Sequence, residues 1–219
     1  MNDKIPCAEC GKPISSISAG KRNGLCLTCA IKREEKVPCA ECGKPTSARL
    51  AGKRDGLCLQ CRAKRNPFFV LYSSLIDRAC SPDGFRTLSE PEQAYYALTL
   101  FQNEVNNGGF HQFFFNSSGS YYDSIETGLV SFDEPQLLEL LHQAKQIVFP
   151  DIDVPADIET RRKLLPYVDP ASDRPQWATQ LDHLDRRFYS TPDTLTAKLQ
   201  TFARQRGLVL GETIGEEAS

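Results

Sequence analysis

Eight of the nine cysteines in this 219-residue chain fall into four Cys-x-x-Cys pairs: Cys7 and Cys10, Cys26 and Cys29, Cys39 and Cys42, Cys58 and Cys61. Two intervening residues let both sulfurs of a pair reach one ion at about 2.3 Å, and two such pairs close a tetrahedron. Successive pairs combine into two groups of Cys-x2-Cys-x15-Cys-x2-Cys, a spacing that predicts two structural zinc ions, one per group. The competing chemistry is a redox dithiol. The duplicated spacing argues against it, and so does the lack of any surrounding βαβ pattern.

The segment that carries these ligands is an internal duplication. Pro6–Pro13 recurs unchanged at Pro38–Pro45, and residues 6–33 match residues 38–65 at twenty of twenty-eight positions. Each copy holds a full ligand set, which makes it one complete unit. Gly11 and Gly43 follow the second cysteine of their group, where a metal knuckle turns through positive φ. The Gly20–Gly24 and Gly52–Gly56 segments read as hairpin tips. The residues after Cys29 and Cys61 are helix-compatible, which sets the later pair at a helix N-terminus where the dipole favours thiolates. Knuckle, hairpin and helix together resemble zinc-ribbon and treble-clef modules. A module of this size cannot bury enough apolar surface to fold alone, so metal must supply most of its stability.

The net charge of −2 conceals a division. Residues 1–66 carry 14 Lys and Arg against 6 Asp and Glu, a formal +8, and residues 67–219 carry 12 against 22, a formal −10. Two four-thiolate zinc sites would lower the first figure to about +4. Lys21, Arg22, Lys53 and Arg54 at the two tips, with Lys32, Arg33, Lys64 and Arg65, are candidate contacts to phosphate or to an acidic partner. Because this segment has no aromatic residue, base stacking is excluded there.

Four domains follow: a first four-cysteine module at 1–34, a second at 35–66, an acidic all-α domain at 67–210, and a disordered acidic tail at 211–219. Within the acidic domain, Phe68, Leu71, Leu75 and Ala79 mark one helix, and Ser89–Glu92 is a capping box opening another. That second helix carries Ala94, Leu98, Phe101 and Val105, ends at Asn106–Gly109, and restarts over Phe110–Asn116. Helices are also expected over 123–130, 134–148 and 157–165. The stripe of Trp177, Leu181, Leu184 and Phe188 marks another, and a last helix carries Leu195, Leu199 and Phe202 up to Gly207. Cys80 has no partner nearby in sequence and reads as a small buried hydrophobe.

No catalytic constellation is legible. The histidines are His111, His142 and His183, and only His111, beside Ser117 and Ser118, could anchor a site. There is no nucleophile elbow, phosphate loop or His-x-x-x-His pair around it. A structural role for the stretch is the better reading: Asn107 and Asn116 satisfying backbone groups at buried turns, and Glu104 accepting hydrogen bonds from the loop.

That stretch also carries a resemblance. Glu104, Asn107-Gly108-Gly109-Phe110, Gln112-Phe113-Phe114, Asn116 and Gly119 together resemble a bacterial domain-of-unknown-function family that includes a DNA mimic protein, over residues 68–206 or so. The resemblance implies an all-helical domain and, through its mimic member, carboxylates presented to a transcription regulator in place of DNA. The expected function is that of a non-enzymatic, zinc-binding bacterial interaction protein whose acidic domain engages a protein partner. The alternatives are a nucleic-acid-binding protein that uses the basic modules, and an enzyme with a site around His111. The absence of an apolar leader or of a run of about 18 apolar residues predicts a cytoplasmic protein without membrane contact.

Overall fold

The computed structural model describes residues 4–79, 82–165 and 175–209; Cys80 and the tail at 211–219 lie outside them. Contacts divide the chain into two compact units, Met1–Asn66 and Pro67–Ser219.

In the first unit the duplication is visible as two successive copies of one arrangement. β1 (Lys4–Pro6) pairs antiparallel with β2 (Pro13–Ser15), α1 (Ser16–Gly20) follows, and α2 (Leu27–Arg33) closes the first copy. β3 (Lys36–Pro38) and β4 (Pro45–Ser47), α3 (Ala48–Gly52) and α4 (Leu59–Lys64) repeat it. The hairpins therefore enclose the Cys7–Gly11 and Cys39–Gly43 knuckles, and not the Gly20–Gly24 and Gly52–Gly56 segments, where tips were expected. Those segments instead end the one-turn helices α1 and α3. The Gly24 and Gly56 amides return to the Ala19 and Ala51 carbonyls at 2.9 Å, with positive φ at Asn23, Gly24, Asp55 and Gly56. Asn, Asp and Gly are the residues that tolerate this left-handed conformation.

The second unit, over its described residues, consists of helices and turns. α5 (Pro67–Arg78) and the short α6 (Pro82–Arg86) lead to α7 (Glu90–Phe115); a 3-10 turn (Ser117–Tyr121) connects to α8 (Tyr122–Ser131). α9 (Pro135–Val148), α10 (Ile158–Leu164), α11 (Gln176–Ser190) and α12 (Leu195–Gln205) complete it. None of the described helices is long and apolar enough to cross a membrane.

α7 is the central element and packs against α5, α8, α10, α11 and α12. Its start follows the capping-box logic, since the Glu92 carboxylate accepts from the Ser89 amide at 2.8 Å. Leu98, Phe101, Val105, Phe110, Phe113 and Phe114 along it are fully buried. Phe101 stands at the middle of an aromatic cluster, edge-on to Phe113 and to Phe188 from α11 at centroid distances of 5.3 and 5.8 Å. Such edge-to-face pairs add about 0.5–1.5 kcal/mol each beyond their buried area. α12 ends where Gly207 takes φ +68°, and Val209 beyond it is buried.

Candidate functional site

The knuckles and helix starts bring the eight cysteines into two clusters. In each, the four Sγ atoms of Cys7, Cys10, Cys26 and Cys29, or of Cys39, Cys42, Cys58 and Cys61, lie within 4.8 Å of one another. Cys10 and Cys26 Sγ are 3.6 Å apart, and Cys42 and Cys58 Sγ 3.8 Å apart. Four sulfurs at about 2.3 Å from one ion would be about 3.8 Å apart along each tetrahedral edge. Each group could therefore hold one metal ion.

Local structure primes the sulfurs. Cys26 and Cys58 are the N-caps of α2 and α4, and their Sγ atoms accept the amides of Cys29 and Cys61 at 3.4 Å. The Cys26 and Cys58 amides in turn point at Cys7 and Cys39 Sγ, 3.1 Å away. Amides of Cys10, Cys26 and Glu9 hold the Cys7 thiol down at about 6, and those of Cys42, Cys58 and Glu41 do the same for Cys39. The Cys29 amide lowers Cys26. Cys29 is pushed up to about 12, chiefly by its hydrogen bond to Cys26, and burial raises Cys61. Each cluster thus combines sulfurs already disposed to be thiolates with one that surrenders its proton only to a cation. Metal binding must then release protons, and affinity must fall as pH falls. Gly11 and Gly43, at φ +70° and +68°, make the knuckle turns.

The two clusters differ in their surroundings. Ile14 and Ala30 pack on the first, together with Leu25. The duplicate positions hold Thr46 and Arg62, and the second cluster retains only Leu57 as apolar cover besides its own cysteines. Cys26 is buried, whereas Cys58 is partly open. A drier shell slows access to a metal and its ligands. In competition with a chromogenic chelator, the second site is expected to yield its metal about tenfold faster than the first, and Thr46→Ile with Arg62→Ala should narrow the gap. Release in one phase would show the sites to be equivalent.

In the helical unit, the motif residues build a polar lock and not a cleft. Helical geometry breaks inside α7 at Gly108 and Gly109. Across that break, Glu104 Oε2 accepts from Gln112 Nε2 at 2.8 Å and from Asn116 Nδ2 at 2.9 Å. Asn116 therefore serves the Glu104 carboxylate, where a backbone partner was expected. Asn107 is exposed and lies at no buried turn. Phe110 opens the second arm of α7, and its amide donates to Asp185 Oδ1 at 2.8 Å. Gly109 has φ +75° and ψ −176°, a conformation open essentially to glycine alone. A Cβ there would come within 2.2 Å of the Asp185 carboxylate. Gly109→Ala is expected to cost about 3 kcal/mol, combining backbone strain with loss of the Asp185 cap. Urea unfolding of the full chain measures this, and a loss below about 1 kcal/mol would contradict the assignment.

Gly119 makes room for a second buried group. A Cβ on it would lie 2.8 Å from Arg161 Nε. Arg161 has 0% exposure. It donates to the carbonyls of Phe114, Asn116, Pro155 and Ala156 at 2.7–2.9 Å and to Ser120 Oγ at 3.0 Å. Burial lowers its pKa. Sequence reasoning missed both Arg161 and Asp185. Arg161 sits in a run, Arg161-Arg162-Lys163, that reads as a solvated helix face, and nothing local marks it. His111 lies between Phe115 and Trp177, stacked at 5.5 Å on each. Ser118 is buried and donates to the Phe113 carbonyl.

A family model described as DMP19-like protein matches residues 86–206, more than half of the chain. The chain belongs to the DMP19-like protein family. No curated protein and no solved structure matches it. The DMP19-like region contains α7 with its glycine break, the Glu104 lock, Asp185 and Arg161; both cysteine clusters precede it.

The basic residues of the first unit divide into two sets. Lys21 and Lys53 are exposed, with Arg22 and Arg54 beside them half-buried. Arg33 and Arg65 are held by Glu9 and Glu41, both at 2.8 Å, and so are engaged inside their own modules.

Proposed function

We propose that this protein is a non-enzymatic zinc-binding interaction protein whose acidic helical domain binds a protein partner, in the manner of a DNA mimic that engages a DNA-binding regulator. The observation that carries the reading is the formal −10 of residues 67–219 in a domain of this family. Asp77, Glu90, Asp123, Asp133, Asp151 and Asp153 are exposed and join no ion pair among the described residues. They are the carboxylates available to stand in for phosphates. The motif itself is occupied internally, so mimicry would reside on these outer faces. The packing of His111 between two aromatic rings and of Ser118 against a carbonyl supports a non-catalytic role.

Zinc suits two closed sets of four thiolates better than harder or more open-sited metals, and knuckle, hairpin and helix together suit a treble-clef-like module. Free thiolate ligands of this kind belong in a reducing compartment such as the cytoplasm. Metal analysis of the purified chain should return two zinc ions per molecule. Titration of candidate DNA-binding regulators at about 50 and about 200 mM salt tests the mimic reading, because binding that replaces phosphate contacts weakens steeply with salt. Salt-insensitive binding, or none to any regulator, would remove it.

A further inference from the structure

The ion pairs of the first unit sort its cations by residue type. Among the described residues, Glu9 pairs with Arg33, Glu34 with Arg49, Glu41 with Arg65 and Asp55 with Arg62, at 2.8–3.1 Å. Arginines take up these four carboxylates. The eight lysines are all exposed, and they, with Arg22 and Arg54, form no ion pair among the described residues.

In each module the segments that carry these cations are tied to one another. The Ala8 amide bonds the Gly24 carbonyl at 2.9 Å, tying the Lys21–Arg22 turn to the first knuckle. The Cys7 amide bonds the Lys12 carbonyl at the same knuckle, and Glu9 draws the end of α2, with Lys32, towards it. The second module repeats every link, Ala40 to Gly56 at 3.0 Å, Cys39 to Lys44, and Glu41 to Arg65, and so ties together the segments that carry Lys44, Lys53, Arg54 and Lys64. The modules are also fixed in phase. Glu34, at the end of α2, accepts from Ser47 Oγ at 2.5 Å and from Arg49 Nε at 3.1 Å, and the Ala48 amide bonds the Glu35 carbonyl at 2.8 Å. Glu34 is held below the usual carboxylate range, first by Ser47 and then by Arg49.

The geometry points to a binding surface for the phosphate backbone of duplex nucleic acid, read without regard to base sequence. The same four cations, presented twice by duplicated modules, fit a ligand whose charges also repeat, as those of a phosphate backbone do. Lysines dominate the free set, and they meet phosphate as point charges without the bidentate fork that reads guanine. With no aromatic side chain in residues 1–66, the surface has no platform for unstacked bases.

The test uses the full, metal-loaded chain and fluorescence anisotropy with two DNA duplexes of unrelated sequence, one RNA duplex and one single strand. Both DNA duplexes should bind alike at about 50 mM salt and weaken at least tenfold by about 200 mM. The RNA duplex shows whether the backbone is read in DNA alone or in either form. The single strand should bind more weakly than the duplexes. Lys21→Glu, Arg22→Glu, Lys53→Glu and Arg54→Glu together should lower affinity at least tenfold at unchanged metal content, and flatten the slope of log K against log salt by about 3. Should that variant lose metal, Lys32→Ser with Lys64→Ser removes charge from exposed helix positions and should still weaken binding several-fold. Failure to bind any duplex at low salt, or affinity unmoved by these variants, would overturn the assignment. So would competition by polyglutamate equal to that by duplex at matched charge, which would mark an acidic protein as the partner.

Discussion

Chelation is expected to unfold residues 4–66 and to leave the unfolding transition of the helical unit in place. The cysteine-rich unit has little else to hold it. Apart from cysteines, its buried hydrophobic side chains are Ala19, Leu25, Ala51 and Leu57. A buried leucine contributes about 1.5–3 kcal/mol, whereas ordering each residue's backbone costs about 1–2 kcal/mol. Leu25 and Leu57 cannot offset that for two modules. Metal bound to four thiolates supplies about 10–16 kcal/mol per site in comparable small modules. The helical unit has its own continuous core from Leu71 to Val209. Circular dichroism and proton NMR during titration with a strong chelator should therefore show early loss of the modules' signals, with the thermal midpoint of the rest unchanged. Acid should act in the same direction, since Cys29, pushed up to about 12, competes for its proton against the metal. A single cooperative loss of both units on chelation would show that the metal clusters stabilise the whole chain.

The second large effect is expected at Arg161. Arg161→Met keeps much of the side-chain volume but removes the guanidinium donor from the carbonyls of Phe114, Asn116, Pro155 and Ala156, of which Asn116 keeps the Gly119 amide and Ala156 the Ser120 hydroxyl. An unsatisfied buried acceptor costs about 1–3 kcal/mol. Some of the four will recover a bond to water, so the net loss should be about 3–5 kcal/mol by urea unfolding. Arg161→Lys should retain a minority of the bonds and fall between Met and wild type, since an ammonium cannot span the spread of the guanidinium fork. Gly119→Ala displaces the same group, so in the Arg161→Met background it should cost less than alone, a non-additivity that a double-mutant cycle reads directly. A Met variant within about 1 kcal/mol of wild type would mean that water replaces the arginine.

What could be read from the sequence was local. The Cys-x-x-Cys spacing set out both clusters because two residues between sulfurs is a chelating geometry whatever surrounds it. Gly11 and Gly43 were legible for the same reason, and so was the Ser89–Glu92 cap, whose partners are three residues apart. The glycine pair at 108–109 marked the break in α7 without revealing its purpose. Its partner, Asp185, comes from α11, about 75 residues away, and Arg161 reaches the 3-10 turn from 41 residues away. Distant partners of this kind leave no periodicity or spacing to find. The Gly20–Gly24 segment misled because a glycine-bounded, charged turn serves equally as a hairpin tip or as the end of one helical turn. Pairing between β1 and β2 decides which, and that pairing closes around the cysteine knuckle between them.

The clamp between the modules is built partly from residues that the duplication does not repeat. Its acceptor, Glu34, has Asn66 as its counterpart one repeat later, and its donor Arg49 has Ile17 as its counterpart one repeat earlier. Ser47, by contrast, has Ser15 as its counterpart, so the carboxylate and the guanidinium are the pieces of the joint that do not repeat. A third copy spliced after Asn66 would find no carboxylate to dock on, and one placed before Lys4 would meet an isoleucine where the joint calls for a guanidinium. The carboxylate and guanidinium of the joint thus belong to the boundary between the two copies and not to the repeat itself.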